Sequence, residues 1–243
     1  MSNDGGDTAA VSPRDEHDER IRVAVRKRPL LKAEASESDV VSCDARTATM
    51  SVSETKLTVD MRKEAVHRGT FHFDHVFDET CSNARVYAET TKPLLEIVRN
   101  GGNAVVFAFG QTGSGKTHTM LGSADHRDHG IYALAAHDMI STLRGMRLFV
   151  SFYEIYGGKL FDLLNARNAV RTLEDENGNV NLVGLSEHQV RDHAALLQHV
   201  DRGAEQRSSG STHVNERSSR SHAVLVLTVK TRREKNVFGR MSF

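Results

Sequence analysis

The chain has no tryptophan, three prolines and two cysteines in 243 residues. Cys43 and Cys81 show no short C-x-x-C spacing, which argues against a disulfide framework or a structural zinc site and leaves two ordinary thiols. Charge of either sign is not in excess: Lys plus Arg and Asp plus Glu are 32 each. Overall charge therefore gives no reason to expect nucleic acid or an anionic membrane as partner, and any acidic partner must be met by a local patch. No apolar run approaches the ~20 residues of a membrane span, and the N-terminus is polar and acidic rather than signal-like. There is no N-x-S/T acceptor. With 38% hydrophobic residues the chain has material for one substantial core, and a soluble, intracellular, single-domain protein is expected.

What is present is a phosphate-binding loop, Gly110-Gln111-Thr112-Gly113-Ser114-Gly115-Lys116-Thr117. Asn103 to Phe109 (NAVVFAF) precedes it and reads as a strand buried on both faces of a parallel sheet. Lys116 to Met120 begins a helix. In that order, loop N–H groups and the helix start surround a phosphate, Lys116 neutralises the outer phosphates, and the Thr117 hydroxyl is offered to Mg²⁺.

Residues 1–19 are polar and acidic and read as a disordered tail. An alternating strand over Ile21 to Val25 stops before Pro29. Val52 to Asp60 and Thr70 to Phe73 read as short strands around a basic tip with Lys56, Arg62, Lys63 and Arg68. Ser82 to Arg99 has helical spacing, Ser82 as N-cap, a break at Pro93 and Gly101 beyond the end. Strands are expected over Arg147 to Tyr156 and His222 to Lys230, with another beginning at Val237. Leu160 to Leu164 reads as a short element, Val180 to Val190 as a strand pair or loop, and Asp192 to Gln206 as a helix. Alternating strands and helices around a phosphate loop predict an α/β fold.

The second chemical element is Asn215-Glu216-Arg217-Ser218-Ser219-Arg220-Ser221-His222. Phosphoryl transfer needs groups that place a water and hold Mg²⁺ and the γ-phosphate, and this hydroxyl-rich loop suits that work. A solvated Ser/Arg loop, or a phosphorylation site, fits the same residues. Asp125 to His129 carries ligand-type side chains, but a surface loop after Gly122 explains it better than a metal site. Phe71, Phe73 and Phe77 read as core rather than as a base-stacking platform.

Together, N-x-x-S-S-R-S-H and GQTGSGKTHTM (Gly110 to Met120) resemble the kinesin motor domain. VRKRPL at Val25 to Leu30, FDHVFDET at Phe73 to Thr80 and YEIYGGKLFDLL at Tyr153 to Leu164 extend the resemblance over nearly all of 21–243. It implies a P-loop NTPase fold with a central mixed sheet flanked by helices, binding ATP or ADP with Mg²⁺. Arg26, Arg28, Pro29 and His118 would surround the adenine. Gly110, Gln111, Thr112, Gly113, Ser114, Gly115, Lys116 and Thr117 would hold the phosphates. Asn215, Ser218, Ser219 and Arg220 would form the first switch, with Thr117 and Ser219 at the metal. The implied partner is tubulin in microtubules, with no nucleic acid and no membrane, and the implied location is the cytoplasmic cytoskeleton.

Within the family, GIYA at Gly130 to Ala133, FYEIYGGKLFDLLN at Phe152 to Asn165 and LEDENGNVNLVGLSEH at Leu173 to His188 resemble the internal-motor, microtubule-depolymerising class. That class carries a Lys-Val-Asp hairpin tip, and here the matching tip reads Thr58-Val59-Asp60. The resemblance also implies a second switch, D-x-x-G followed by a glutamate partner for Arg220, just beyond Phe243. On this reading residues 20–243 are a motor domain from P-loop to first switch, C-terminally incomplete, and alone they turn over no ATP at a motor's rate. The alternatives are a non-catalytic nucleotide- or tubulin-binding fragment, or a conventional motile kinesin.

Overall fold

The computed structural model describes residues 21–57, 64–123, 127–142, 145–209, 221–231 and 237–243. The acidic tail (1–19), the hairpin tip (Thr58, Val59, Asp60, Arg62, Lys63), and Asn215, Ser218, Ser219 and Arg220 lie outside the described residues.

The chain opens with strand β1 (Ala24–Arg26), a 3-10 turn (Lys32–Glu34), and strands β2 (Val41–Asp44), β3 (Thr49–Leu57), β4 (Glu64–His72) and β5 (His75–Phe77). Helices α1 (Asn83–Thr90) and α2 (Leu94–Arg99) follow, then β6 (Asn103–Val105), α3 (Lys116–Leu121) and α4 (Ile131–Thr142). Next come β7 (Met146–Tyr156), β8 (Lys159–Asp162), β9 (Asn168–Glu174), β10 (Val180–Val183) and β11 (His188–Val190). Helix α5 (His193–Ser209), β12 (Ser221–Thr231) and β13 (Val237–Ser242) follow.

The central sheet has eight strands in the order β10-β9-β8-β7-β12-β13-β6, with β11 also on β7. It is mixed, since β13 pairs with β6 in parallel whereas β7, β12 and their other partners are antiparallel. A parallel pair β1-β5 and an antiparallel sheet β2-β3-β4 stand apart from it. β7 and β12 pair over their full lengths, from Met146↔Thr231 to Tyr156↔Ser221. Both have centres rich in Val, Leu and Phe, the pattern of strands covered on two faces. Leu225, Leu227, Val229, Val150 and Met241 are fully buried.

Ser82 caps α1, its hydroxyl accepting from Arg85 N–H, and Pro93 separates α1 from α2 as the sequence predicts. Helix α5 presses on β7 through Gly203: a Cβ there would sit 2.2 Å from the Phe152 ring. Tyr87 on α1 donates to Asp138 on α4 at 2.8 Å, and burial, with that bond, pushes its hydroxyl pKa well up.

Two expectations are corrected. The strand before the phosphate loop is buried on one face only: Ala104 is core, while Val105, Phe107 and Phe109 are 67%, 78% and 94% exposed. Successive side chains alternate in direction, and no described element covers the odd-numbered set. Phe77 is core as expected, but Phe71 is 53% exposed, because β4 belongs to the outlying three-stranded sheet.

His193 opens α5 with its ring edge-on to His129 and His137, at centroid distances of 5.1 and 5.8 Å. Its Nδ1 is buried without a partner among the described residues. Burial first, then the charges of His129 and His137, lower its pKa from 6.5, with Asp192 pulling the other way. The unfolded chain therefore takes up this proton at higher pH than the folded one. Its contribution to stability is full above about pH 6.5 and is lost as pH falls through the folded value. On acidification from about pH 7.5 to about pH 5.5 the melting temperature of wild type should fall by on the order of 2 °C more than that of His193→Phe. Parallel melting curves for the two proteins would refute this.

Candidate nucleotide site

The loop from β6 to α3 is shaped by three glycines. Gly110, Gly113 and Gly115 have φ of 152°, 81° and 93°, a region that side-chain-bearing residues disfavour. A Cβ on Gly110 would lie 2.5 Å from Ser114 Oγ. The chain turns at Ser114 N–H to Gln111 O, 3.1 Å, and enters α3 with Thr119 N–H bonded to Gly115 O at 3.0 Å. Lys116 Nζ donates to the carbonyls of Gly110 and Gln111 at 2.8 and 2.9 Å, so the ammonium lies over the loop. One of its three donors is then left for an anion. Thr117 is exposed, and Ser114 Oγ is buried without a partner among the described residues. The cradle that a Cβ would fill and the orphaned hydroxyl fit a phosphate group, and Thr117 fits a cation beside it.

Helix α3 is tied to the rest of the molecule through Arg26 and Asn83. Arg26 Nη1 donates to Asn83 Oδ1 at 2.5 Å and to Thr119 Oγ1 at 3.0 Å, and Nη2 donates to Cys81 O at 2.7 Å. Asn83 is fully buried and its amide donates to His118 O at 2.9 Å. Burial lowers the Arg26 pKa, opposed by the charge of Asp128. The guanidinium predicted to face adenine is thus engaged with the elements that hold α3.

Arg28 lies against the loop, its Cβ 3.9 Å from where a Cβ on Gly115 would be. It grips Glu34 with two bonds of 2.7 and 2.5 Å, and this pairing, with a bond from Leu31 N–H, holds the Glu34 carboxyl down at about 2. Pro29 is exposed. His118 is half-exposed on α3, with Nε2 3.4 Å from Asp128 Oδ2. Arg28 and the loop therefore share one region, with His118 on the helix that the loop starts. The sequence reading missed Asn83, Glu34 and Asp128. A helix-start Asn and a carboxylate three residues from an N-cap carry only local signals, and their partners lie up to 57 residues away.

A glycine-shaped loop between a parallel-paired strand and a helix, with its lysine folded over the loop, defines a P-loop nucleotide-binding domain. The chain belongs to the kinesin motor domain family, whose model matches residues 26–242. Kinesin-like protein KIF24 of Homo sapiens is 44% identical over 233 residues, covering 93% of this chain and 17% of that protein. Kinesin-like protein KIN-13B of Arabidopsis thaliana is 42% identical over 230 residues, covering 92% and 33%. The solved structure of a fast kinesin superposes with a TM-score of 0.78 at 28% identity, covering 91% of this chain and 64% of that one. The chain thus spans 17% to 33% of the length of these curated relatives. Among the described residues no helix is long and apolar enough to cross a membrane, and no group of three or more acidic, Cys or His side chains is arranged to hold a metal ion by itself.

Proposed function

We propose that the chain binds ADP and ATP with Mg²⁺ on the Gly110–Thr117 loop, and that the protein carrying it hydrolyses ATP to bind microtubules and remove tubulin from their ends. The loop geometry carries the nucleotide reading. Three glycines hold the turn open, Lys116 stands over it, and Ser114 Oγ has no partner among the described residues. Bound Mg²⁺ supplies charge neutralisation for the phosphates, with Thr117 and Ser219 as its protein hydroxyls. Lys116 holds the outer phosphates. Arg26, Arg28, Pro29 and His118 border the base, and Arg26 also holds α3 in place through Thr119. Asn215, Ser218, Ser219 and Arg220 are the proposed γ-phosphate-responsive groups.

The depolymerising role is supported by the sequence matches at Gly130 to Ala133 and Phe152 to Asn165, together with the likeness to KIF24 and KIN-13B. Titrating a fluorescent ADP analogue into wild type and Lys116→Ala tests the site. Affinity is expected to drop by on the order of 100-fold, about 3 kcal/mol for a lost charge-assisted phosphate contact. Equal affinity would reject it. For the protein carrying this domain, stabilised microtubules should shorten from their ends, and gliding without loss of polymer would reject that part.

A further inference from the structure

We infer that Glu34 is a positioning residue for the base: it grips Arg28 edge-on and so holds that guanidinium beside the phosphate loop with a flat face open to a purine ring, adenine and guanine alike. The inference rests on the nucleotide reading above and adds to it the way in which Arg28 meets the base.

The segment from Arg28 to Glu34 has little apolar burial to fix where it sits. Leu30, Leu31, Lys32 and Ala33 are all exposed, so its shape must come from its own hydrogen bonds. Glu34 N–H donates to Leu31 O and Leu31 N–H donates back to Glu34 Oε2, both at 2.8 Å, which closes the 3-10 turn from both sides. Arg28 donates through Nη1 to Oε2 at 2.7 Å and through Nη2 to Oε1 at 2.5 Å, and Nη1 also reaches Pro29 O at 2.9 Å. One carboxylate therefore closes the turn and clamps the side chain at the far end of it. Pro29, between them, adds stiffness because its ring fixes φ.

This pairing decides which surface of the guanidinium is left for a ligand. Two parallel bonds set the carboxylate in the plane of the guanidinium, and with Pro29 they use three of its five N–H donors. Neither flat face takes part in these bonds. Such a face stacks on aromatic rings, and it is held next to the loop: Arg28 Cβ is 3.9 Å from where a Cβ on Gly115 would be, and Gly115 caps the helix that Lys116 begins. A stacked face meets the ring and not the groups on the ring's edge, since every base has a π-face. Arg28 held in this way adds affinity for any purine and none for a ligand that has phosphates without a base. Lysine cannot stand in for it, because an ammonium keeps the charge but has neither the plane nor the two-bond grip.

The test uses the whole 243-residue chain as wild type, Glu34→Gln, Arg28→Gln, Arg28→Lys and the double variant Arg28→Gln with Glu34→Gln. Mg-ADP, Mg-GDP and Mg-pyrophosphate each compete with a fluorescent ADP analogue. Wild type should take GDP more tightly than pyrophosphate, because the ring stacks whatever its edge carries. Arg28→Gln should weaken ADP and GDP by about tenfold each, the size of one stacked base. Glu34→Gln should weaken both by about fivefold, the size of one exposed cation–π contact. Pyrophosphate should stay within about twofold of wild type throughout. Arg28→Lys should do no better than Arg28→Gln, and the double variant no worse, because all of these changes act on one contact. If Glu34→Gln fails to fold, Glu34→Asp, which keeps the charge and shortens the reach by one methylene, takes its place and should lose ADP and GDP equally.

Four results would each overturn the proposal. Pyrophosphate falling as far as ADP in Glu34→Gln would make the turn a support for the loop only. ADP falling without GDP, or GDP binding no tighter than pyrophosphate in wild type, would mean that the base is read at its edge. Wild-type affinities in Arg28→Lys would reduce the contact to charge alone, and unchanged ADP affinity in Glu34→Gln would show that Arg28 needs no clamp. Failure of the nucleotide reading looks different: wild type then binds neither ADP nor pyrophosphate, and the role of Glu34 falls with it.

Discussion

Gly130→Ala is expected to cost at least about 3 kcal/mol and to lower the melting temperature by on the order of 10 °C. A methyl group there would lie 2.3 Å from Met120 O, 2.3 Å from the Leu121 carbonyl carbon and 2.5 Å from Gly122 N. Side chains could move aside, but these are backbone atoms already committed to structure. Gly122 N–H is bonded to His118 O and Ser123 N–H to Asp128 O, and Gly122 bridges to His129 across the return. The end of α3 and the start of α4 therefore cross in contact, and one must shift. Because α3 carries Lys116 and Thr117, nucleotide affinity should fall along with stability. Thermal melting of the variant beside wild type decides it: a midpoint within about 2 °C of wild type would show that the crossing is looser than drawn.

Asn83→Ala is the second large effect. Asn83 has no access to solvent, and its side chain makes one bond to a cation and one to a helix carbonyl. Removing it strips Arg26 Nη1 of its shortest bond and leaves His118 O without its side-chain donor. A bond to a charged group is worth about 1.5–3 kcal/mol and a neutral one about 1 kcal/mol, so a loss of about 2–4 kcal/mol is expected. The same change loosens α3 from α1, and ADP affinity should weaken by about tenfold although Asn83 belongs to no predicted contact with nucleotide. Asn83→Asp keeps an acceptor for Arg26 and loses the donor to His118 O, so it should fall between wild type and alanine. Calorimetry with an ADP titration on the three proteins measures both effects, and an alanine variant matching wild type in each would refute the role.

These two residues show where sequence reading stops. The phosphate loop was legible because its chemistry is contiguous: glycines, lysine and threonine occupy eight successive positions, and each has a local reason to be there. The break at Pro93, the Ser82 cap and the long strands β7 and β12 were legible for the same cause. Helix α4 was not. Ile131, Tyr132, Ala133, Ala135, Ala136 and Met139 are all buried, and the polar His137, Asp138, Ser141 and Thr142 fall only in the second half, so the segment shows little helical period. β2 and β9 were missed as well, being short or polar strands whose identity comes from their partners. The motif of Arg26 is local, but its hydrogen bonds are to Cys81, Asn83 and Thr119, between 55 and 93 residues away, and no local pattern announces them. Glu154 likewise sits in a legible strand, but its partners, Arg167 and Arg207, come from a turn and a helix. The exposed Val105, Phe107 and Phe109 were misjudged because an apolar run states its own preference and says nothing of what lies across from it.

The order in which the chain leaves the ribosome gives the β6–β13 pairing a temporal meaning. The strand that delivers the phosphate loop has β13 as its partner, through Asn103↔Arg240, Ala104↔Met241 and Ser242↔Val105, and Val106 N–H bonds to Ser242 O. None of those bonds can form until residues 240–242 have been made. β7 waits in the same way for β12, which matches it from residue 221 onward, whereas the β7–β8 and β3–β4 hairpins can close as soon as they emerge. Pairings between distant stretches carry a loop-closure cost before they return any stability, which makes them slow steps in folding. The hairpins should therefore gain protection from solvent early, and the nucleotide loop should be seated only once β13 lies between β12 and β6.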